Sequence, residues 1–378
     1  MAVGPSVLGK VLDVFERNFR ENDELGASVS IWWNGMELVS TGHGWCEKEQ
    51  SRQWTERTLV PVYSATKTPS AAALLLALEG KGLSVTTPVR EVWPEFPVEA
   101  IFSHLLSHQC GLAGLDEKPS MFNHAAVVAA IESQVPAWLP GEGHGYHPRT
   151  FGALLDEPVR RLTGMSLGDF WQKRIAAPLD LEFWIGLPEK EWPRVARLYP
   201  GKAGKPEQEE FFYQQMVREG TFTRKAFSSP SGLRSIQDMN DPVAWSAGFP
   251  ALGGVGTASA LAKFYQAAMG AIPGPFSPAI QHALATPVSA ADDRVLLRPT
   301  VFTCGAQRDP LNESGEKIRR IYGPSFSAFG HPGAGGSHAF ADPETGISFA
   351  YVMNQMNLGV MPGAKCLEMV DALFSEMV

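Results

Sequence analysis

A serine and a lysine three residues apart form the most informative pair in this 378-residue sequence. Ser64 and Lys67 open an apolar run that continues to Glu79 and stops at Gly80. The run predicts a buried helix, and residues at positions i and i+3 share one helix face. Burial would lower the pKa of the Lys67 amine, as a lysine general base requires. The partial positive charge at the helix N-terminus would stabilise an oxyanion at Ser64. The pair therefore predicts a serine nucleophile with a lysine base.

The same spacing occurs a second time, at Ser314 and Lys317. This copy lies in a polar stretch that begins at Arg308, and no apolar helix follows it. We therefore expect a solvated loop or turn there, without chemistry.

Composition and charge exclude several classes of protein. Hydrophobic residues make up 44% of the chain and charged residues 19%, as in ordinary soluble globular proteins. The net charge of −8 argues against nucleic acid or an anionic membrane as a partner. No stretch approaches the ~20 apolar residues of a membrane span, and no signal peptide is visible. The four cysteines, Cys46, Cys110, Cys304 and Cys366, fit neither a disulfide framework nor zinc spacing. A cytoplasmic location is expected.

Strand signals lie at both ends of the chain. Apolar runs on either side of Asn34-Gly35 predict a hairpin, and a second hairpin is predicted from residues 337–341 and 347–354. Helices are predicted near both termini and through the middle of the chain, at residues 7–24, 98–109, 122–134, 149–162, 167–176, 258–269 and 364–377.

This distribution predicts an α+β fold. Residues 1–75 and 270–378 would form a discontinuous domain with an antiparallel sheet and flanking helices. Residues 76–269 would form an inserted, mainly helical domain. Sites often form in the cleft between two domains, so we expect the active site there. Pocket-lining residues are expected in the segments 186–220 and 228–249.

Two further segments carry candidate chemistry. Tyr146 closes a loop that begins at Pro140, and a phenol beside a lysine and a serine can relay protons. Alone, such a tyrosine is more often a packing residue. The glycine-rich stretch after His331 leads into a strand, where glycine would let a substrate approach a backbone N–H. This stretch is similar to a phosphate-binding loop, but Gly336 occupies the position of the lysine in that loop, so we do not predict a phosphate site.

Other motifs are assigned structural roles. Gly164-Met165-Ser166-Leu167-Gly168 matches a nucleophile elbow, which must join a strand to a helix. A helical pattern precedes it here, and Ser166 with Asp169 fits a helix cap, so we expect a helix–turn–helix junction. His104 and His108 lie four residues apart but lack the glutamate and third ligand of a zinc site. No metal site is predicted.

Together, these motifs resemble the serine β-lactamase and penicillin-binding protein superfamily. The closest likeness is to class C β-lactamase-like esterases, the family VIII carboxylesterases. The segments that carry it occur in the family's order: residues 62–67, 105–112, 140–146, 249–257 and 331–333. The resemblance covers roughly residues 25 to 355. It implies an α+β domain and an all-α domain with the site between them.

The resemblance also implies roles for particular residues. Ser64 would form an acyl-enzyme, Lys67 would be its base, and Tyr146 would shuttle protons to the leaving group and from the deacylating water. The backbone N–H groups of Ser64 and Ala334 would form the oxyanion hole, and His331 and Gly333 would belong to the substrate-binding third motif. No cofactor is implied.

Two departures from the β-lactamase pattern bear on the substrate. Pro148 stands where those enzymes have an asparagine, and proline offers no side-chain amide. His331 stands where their third motif has lysine, so a permanent cation for a substrate carboxylate is lost. We therefore expect a cytoplasmic serine hydrolase or acyltransferase acting on small to medium neutral esters. The alternatives are a β-lactamase or D-amino-acid peptidase, a non-catalytic binding protein on the same fold, and an α/β-hydrolase using Ser166. The oligomeric state is not predicted.

Overall fold

The strands form two sheets in the computed structural model, which describes residues 3–201 and 210–376. In chain order they are β1 (Gly26–Trp33), β2 (Met36–Gly44), β3 (Val60–Pro61), β4 (Phe183–Ile185), β5 (Gly254–Gly256), β6 (Ser289–Asp292), β7 (Pro299–Phe302), β8 (Gln307–Arg308), β9 (Phe329–Pro332), β10 (His338–Asp342) and β11 (Ile347–Met353).

The large sheet has eight antiparallel strands in the order β2-β1-β11-β10-β9-β8-β7-β6. Its strands come from residues 26–44 and 289–353, so both ends of the chain build it, and the predicted α+β fold class is confirmed. Both predicted hairpins are present. Asn34 (φ 45°) and Gly35 (φ 85°) join β1 to β2 with two left-handed residues, the geometry that favours Asn-Gly.

The helices, in chain order, are α1 (Pro5–Glu21), α2 (Lys67–Glu79), α3 (Phe102–Leu106), α4 (His124–Ser133), α5 (Phe151–Thr163), α6 (Leu167–Trp171), α7 (Glu210–Val217), α8 (Phe222–Ser228), α9 (Ile236–Met239), α10 (Pro242–Ala247), α11 (Ala258–Ala268), α12 (Pro278–Ala285) and α13 (Ala364–Phe374). A π-helical turn at Gln172–Ala176 continues α6. Within residues 3–201 and 210–376, no helix combines the length and apolar character that crossing a membrane requires.

Two helix predictions need correction at their ends. The helix predicted over residues 98–109 is limited to α3, because His108 adopts a left-handed conformation (φ 64°) that an α-helix does not allow. The last helix ends at Phe374, and residue 377, where we predicted its end, lies outside the described residues.

Helices cover both faces of the large sheet. On one face, α13 packs with α1, and Phe374 stacks on Phe340 of β10. On the other, Gln266 of α11 donates to Ser348 Oγ of β11 at 3.0 Å. The helix α11 belongs to the segment 76–269 that we assigned to the helical domain, yet it packs on the sheet. The division into two domains remains a prediction.

Helix α2 carries the start of the site. Every residue from Lys67 to Leu78 is buried, as expected for a helix that is apolar on all sides. A 3₁₀ turn, Ser64–Thr66, leads into α2 and contacts β9 of the large sheet. Thr66 Oγ1 accepts a hydrogen bond from the N–H of Gly254 in the small β3-β5-β4 sheet. Both sheets therefore fix the position of the turn.

Candidate active site

The Lys67 amine is held between Ser64 and two main-chain carbonyls. Its Nζ lies 3.3 Å from Ser64 Oγ, 3.1 Å from the oxygen of Pro148 and 2.7 Å from that of Ala251. Burial lowers its pKa well below the usual lysine value, and the charge of Arg149 lowers it further. A neutral amine has two N–H donors and one lone pair. The carbonyls accept the donors, which leaves the lone pair for the proton of Ser64.

Tyr146 also contacts Ser64. Its hydroxyl donates to Ser64 Oγ at 2.8 Å, and its ring centre lies 4.8 Å from Lys67 Nζ. Burial raises the pKa of the phenol, so at neutral pH it is a proton donor. The structure brings together the three residues that the sequence singled out, in a chain of proton donors and acceptors.

Asp293 holds the Tyr146 loop in place. Its carboxylate accepts from the N–H of Tyr146 at 3.0 Å and from the N–H groups of Val295 and Leu296, both at 2.8 Å. Sequence reasoning missed this residue, because one aspartate in a polar stretch carries no signal of a partner 147 positions away. It missed the carbonyls of Pro148 and Ala251 for a similar reason, since a main-chain contact leaves no trace in residue type.

The residue before Ser64 has an unusual backbone conformation. Tyr63 has φ 49° and ψ −132°, a conformation that L-residues rarely adopt. Strain of this kind persists where the surroundings enforce it and is common at functional sites. Here it turns the chain sharply between β3 and the 3₁₀ turn that starts with Ser64.

Two backbone N–H groups are available beside Ser64. Within the described part of the chain, neither the N–H of Ser64 nor that of Ala334 donates a hydrogen bond. Gly333 lies so close to Val62 that an added Cβ would be 2.1 Å from the Val62 carbonyl oxygen. Because Gly333 has no side chain, the end of β9 can lie close to the segment that leads into the Ser64–Thr66 turn.

His331 lies beside this site as a neutral group. It is 2% exposed, and its Nδ1 donates to the carbonyl of Pro332 at 2.8 Å while Nε2 accepts from Gln307 at 3.3 Å. Burial lowers its pKa to about 3. His331 therefore supplies no cation at neutral pH.

In the described part of the segments expected to line a pocket, two aromatic residues belong to the hydrophobic cluster that contains Tyr146. Phe212 and Tyr213 of α7 pack in one cluster with Tyr146 and Leu296. Residues 202–209 of the same segment lie outside the described residues.

The competing motifs have structural roles. Ser166 caps α6, accepting from the N–H of Asp169 at 3.1 Å, and helix α5 precedes it, so the predicted helix–turn–helix junction is confirmed. His108 packs among aromatic rings, and no group of metal-ligating side chains occurs among residues 3–201 and 210–376. Ser314 lies in an exposed loop, as predicted. Lys317 does not: its side chain is 5% exposed and paired with Asp309 at 3.0 Å.

The chain is similar to known proteins over most of its length. The family model described as Beta-lactamase matches residues 15–365. The chain is 27% identical over 347 residues to Esterase/beta-lactamase LipL of Mycobacterium tuberculosis, covering 88% of this chain and 77% of that protein. A penicillin-binding protein homolog from Caulobacter crescentus is 31% identical with a TM-score of 0.83, and a family VIII carboxylesterase is 27% identical with a TM-score of 0.84. Each alignment of structures covers 99% of both chains. The family resemblance predicted from the motifs is confirmed: the chain belongs to the beta-lactamase family.

Proposed function

We propose that this protein is a serine hydrolase that cleaves small to medium carboxylic esters, or transfers their acyl groups, through an acyl-enzyme on Ser64. The observation that carries the proposal is the position of Ser64 Oγ, 3.3 Å from Lys67 Nζ and 2.8 Å from Tyr146 Oη. The relatives described as an esterase/beta-lactamase and a family VIII carboxylesterase support the same class of reaction.

Acylation begins with proton transfer from Ser64 to the neutral Lys67 amine. Oγ attacks the ester carbonyl, and the N–H groups of Ser64 and Ala334 stabilise the oxyanion. When the intermediate collapses, Tyr146 gives its proton to the leaving alkoxide and regains one from protonated Lys67. An alcohol is released, and the acyl group stays on Ser64.

Deacylation follows the same path in reverse. A water molecule, or an acceptor alcohol in acyl transfer, gives its proton through Tyr146 to Lys67 and attacks the acyl carbonyl. Ser64 Oγ leaves and takes back the proton that Lys67 received. The carboxylic acid or new ester is released, and the neutral lysine is restored.

Two features favour neutral esters over β-lactams and D-amino-acid peptides. His331 is buried and neutral, so this position offers no charge to a substrate carboxylate. Pro148 has no side-chain amide to bind a substrate amide. The cytoplasmic location remains a prediction.

The test is hydrolysis of p-nitrophenyl esters of increasing acyl length, with nitrocefin and a D-alanyl peptide as competing substrates. We expect ester turnover to dominate, and Ser64→Ala and Lys67→Ala each to lower it by orders of magnitude. Ser166→Ala is the matched serine control and should retain activity. An active Ser64→Ala, or an inactive Ser166→Ala of wild-type stability, would contradict the proposal. An inactive wild type would favour the binding-protein alternative.

A further inference from the structure

Arg149 is a cation without an acidic partner close to the proposed base. The side chain is partly buried, and its donors reach the carbonyls of Pro230 (2.7 Å), Phe227 (3.5 Å) and Gly232, and the sulfur of Met121 (3.1 Å). Within the described residues, it forms no ion pair with a carboxylate. Burial lowers its pKa to about 10, which leaves the guanidinium charged at neutral pH.

The backbone places this cation beside Lys67. The carbonyl of Pro148, which accepts from Lys67 Nζ, belongs to the peptide bond that leads into Arg149. Arg149 also lines a depression of about 220 Å³ together with Ala251, whose carbonyl is the second acceptor of the amine. The two main-chain acceptors of the Lys67 amine are therefore a residue bonded to Arg149 and a residue that lines the same depression as Arg149.

Among the described residues, no other charged group next to Lys67 offsets the effect of Arg149. The titratable side chains around the amine are Tyr146, His108, His147 and His331. Burial lowers the pKa of each histidine and raises that of the phenol, so all four are uncharged at neutral pH. The carboxylate of Asp293 binds main-chain N–H groups of the Tyr146 loop.

The depression itself contains one carboxylate, and that carboxylate is already paired. Asp156 lies 2.9 Å from Arg160 and 3.3 Å from His124. Its charge is therefore balanced by its own partners, and we infer that it does not cancel the field that Arg149 exerts on Lys67.

We propose that Arg149 is a positioning residue for the proposed reaction, acting through its charge to keep Lys67 in the neutral, proton-accepting form. Two adjacent cations in a poorly solvated region cannot both remain charged without cost, and a guanidinium does not give up its proton at neutral pH. The lysine is therefore the group that loses its proton. With His331 neutral in the third motif, Arg149 supplies a positive charge near the amine. The inference rests on the proposed function.

Met121 allows the charge to be changed without removing the arginine. Its sulfur lies 3.1 Å from Arg149 Nη2, so Met121→Glu would place a carboxylate against the guanidinium and leave the bonds to Pro230 and Gly232 available. Met121→Gln is the uncharged control of the same shape. Arg149→Met removes the charge, and Arg149→Lys keeps it. Arg160→Met removes a cation of the same depression that already has a partner.

The measurement is the pH dependence of the rate at which a fluorophosphonate labels Ser64, together with that of kcat/KM for a p-nitrophenyl ester. Losing or neutralising the Arg149 charge raises the pKa of Lys67, so the acidic limb moves to higher pH. We expect Met121→Glu and Arg149→Met to move its midpoint to higher pH. At a pH below both midpoints, each pH unit of that movement is a tenfold lower rate. Met121→Gln, Arg149→Lys and Arg160→Met should keep the wild-type midpoint.

The outcomes separate this inference from the proposed function. Wild-type midpoints in both Met121→Glu and Arg149→Met would overturn it, even if their turnover were lower, because a purely structural role moves the rate and not the midpoint. If Arg149→Met does not fold, the comparison of Met121→Glu with Met121→Gln tests the inference. Failure of the wild type to label at Ser64 at any pH would overturn the proposed function, and this inference with it.

Discussion

Replacing Gly333 by alanine should damage the proposed oxyanion hole without touching a catalytic side chain. In the native structure the ideal Cβ at this position would lie 2.1 Å from the carbonyl oxygen of Val62 and 3.3 Å from the Cβ of Ser337. The first distance is far inside van der Waals contact, and its partner is backbone that cannot rotate away. With alanine at position 333, the end of β9 must therefore move away from the Ser64–Thr66 turn.

The size of this retreat sets the expected effect. Relieving the overlap requires a movement of about 1 Å, and a misplacement of that size in an active site costs about 10²-fold in rate. Loss of one oxyanion-hole donor costs about 10²–10³-fold, almost entirely in kcat. We expect kcat to fall about 10²-fold for Gly333→Ala, with little change in KM. The overpacking should also lower the free energy of unfolding by about 1–3 kcal/mol.

The assay is steady-state hydrolysis of a p-nitrophenyl ester, with a pH profile and a thermal melt for each variant. The acidic limb should keep its wild-type midpoint, because Lys67 and its carbonyl partners are unchanged. Gly9→Ala is the matched control, since a Cβ there meets nothing within 4 Å. A folded Gly333→Ala with kcat within twofold of wild type would refute the reasoning, because the Ala334 N–H would then be either unmoved or unimportant.

Three further predictions concern buried polar groups. Tyr146→Phe removes the hydroxyl that donates to Ser64 and keeps the ring. Its kcat should fall by about 10²-fold or more, with acyl-enzyme accumulating in intact-protein mass spectra; rapid turnover would exclude the proton relay. Between the lowered pKa of Lys67 and the usual 10.5, the unfolded chain binds more protons than the folded one, so wild-type stability should rise with pH in that window. The denaturation midpoint of Lys67→Met should lack this rise, and parallel curves for the two proteins would be incompatible with a depressed pKa. Lys365→Met leaves Glu24, whose side chain is 0% exposed, without its partner at 3.0 Å. Urea unfolding should show a loss of about 3–5 kcal/mol, whereas a neutral effect would mean that Tyr351, the other partner of Glu24, suffices.

Much of the fold follows from local sequence signals. Asn34-Gly35 specifies its hairpin, because both residues tolerate the left-handed conformations that the turn needs. The apolar run after Lys67 specifies a helix buried on every side. In these segments the local conformational preference and the tertiary structure agree, so the sequence alone is sufficient to predict the secondary structure.

Tertiary contacts decide the remainder. The helix predicted over residues 98–109 spans only Phe102–Leu106, and His108 beyond its end packs against Phe151 and accepts from the N–H of His147. Lys317 seemed solvated in its polar stretch but is buried against Asp309. The spacing of residues in the sequence does not predict the contacts of His108 or Lys317, because each contact depends on how separate segments pack in the folded chain.

The candidate site also has a part that the sequence predicts and a part that it does not. Residue type and spacing single out Ser64 and Lys67, and motif order adds Tyr146 and the stretch after His331. The strained Tyr63, the Asp293 anchor and the two carbonyls around Lys67 could not be predicted. Backbone conformation and main-chain contacts are properties of the assembled fold.

The central claim is that Ser64 is an activated nucleophile. The most direct test is to treat the protein at neutral pH with a fluorophosphonate probe and map the adduct by peptide mass spectrometry, with Ser64→Ala and Ser166→Ala treated in parallel. We predict a stoichiometric adduct on Ser64, absent in Ser64→Ala and unchanged in Ser166→Ala. An adduct on Ser166, or none on the folded wild-type protein, would contradict the account.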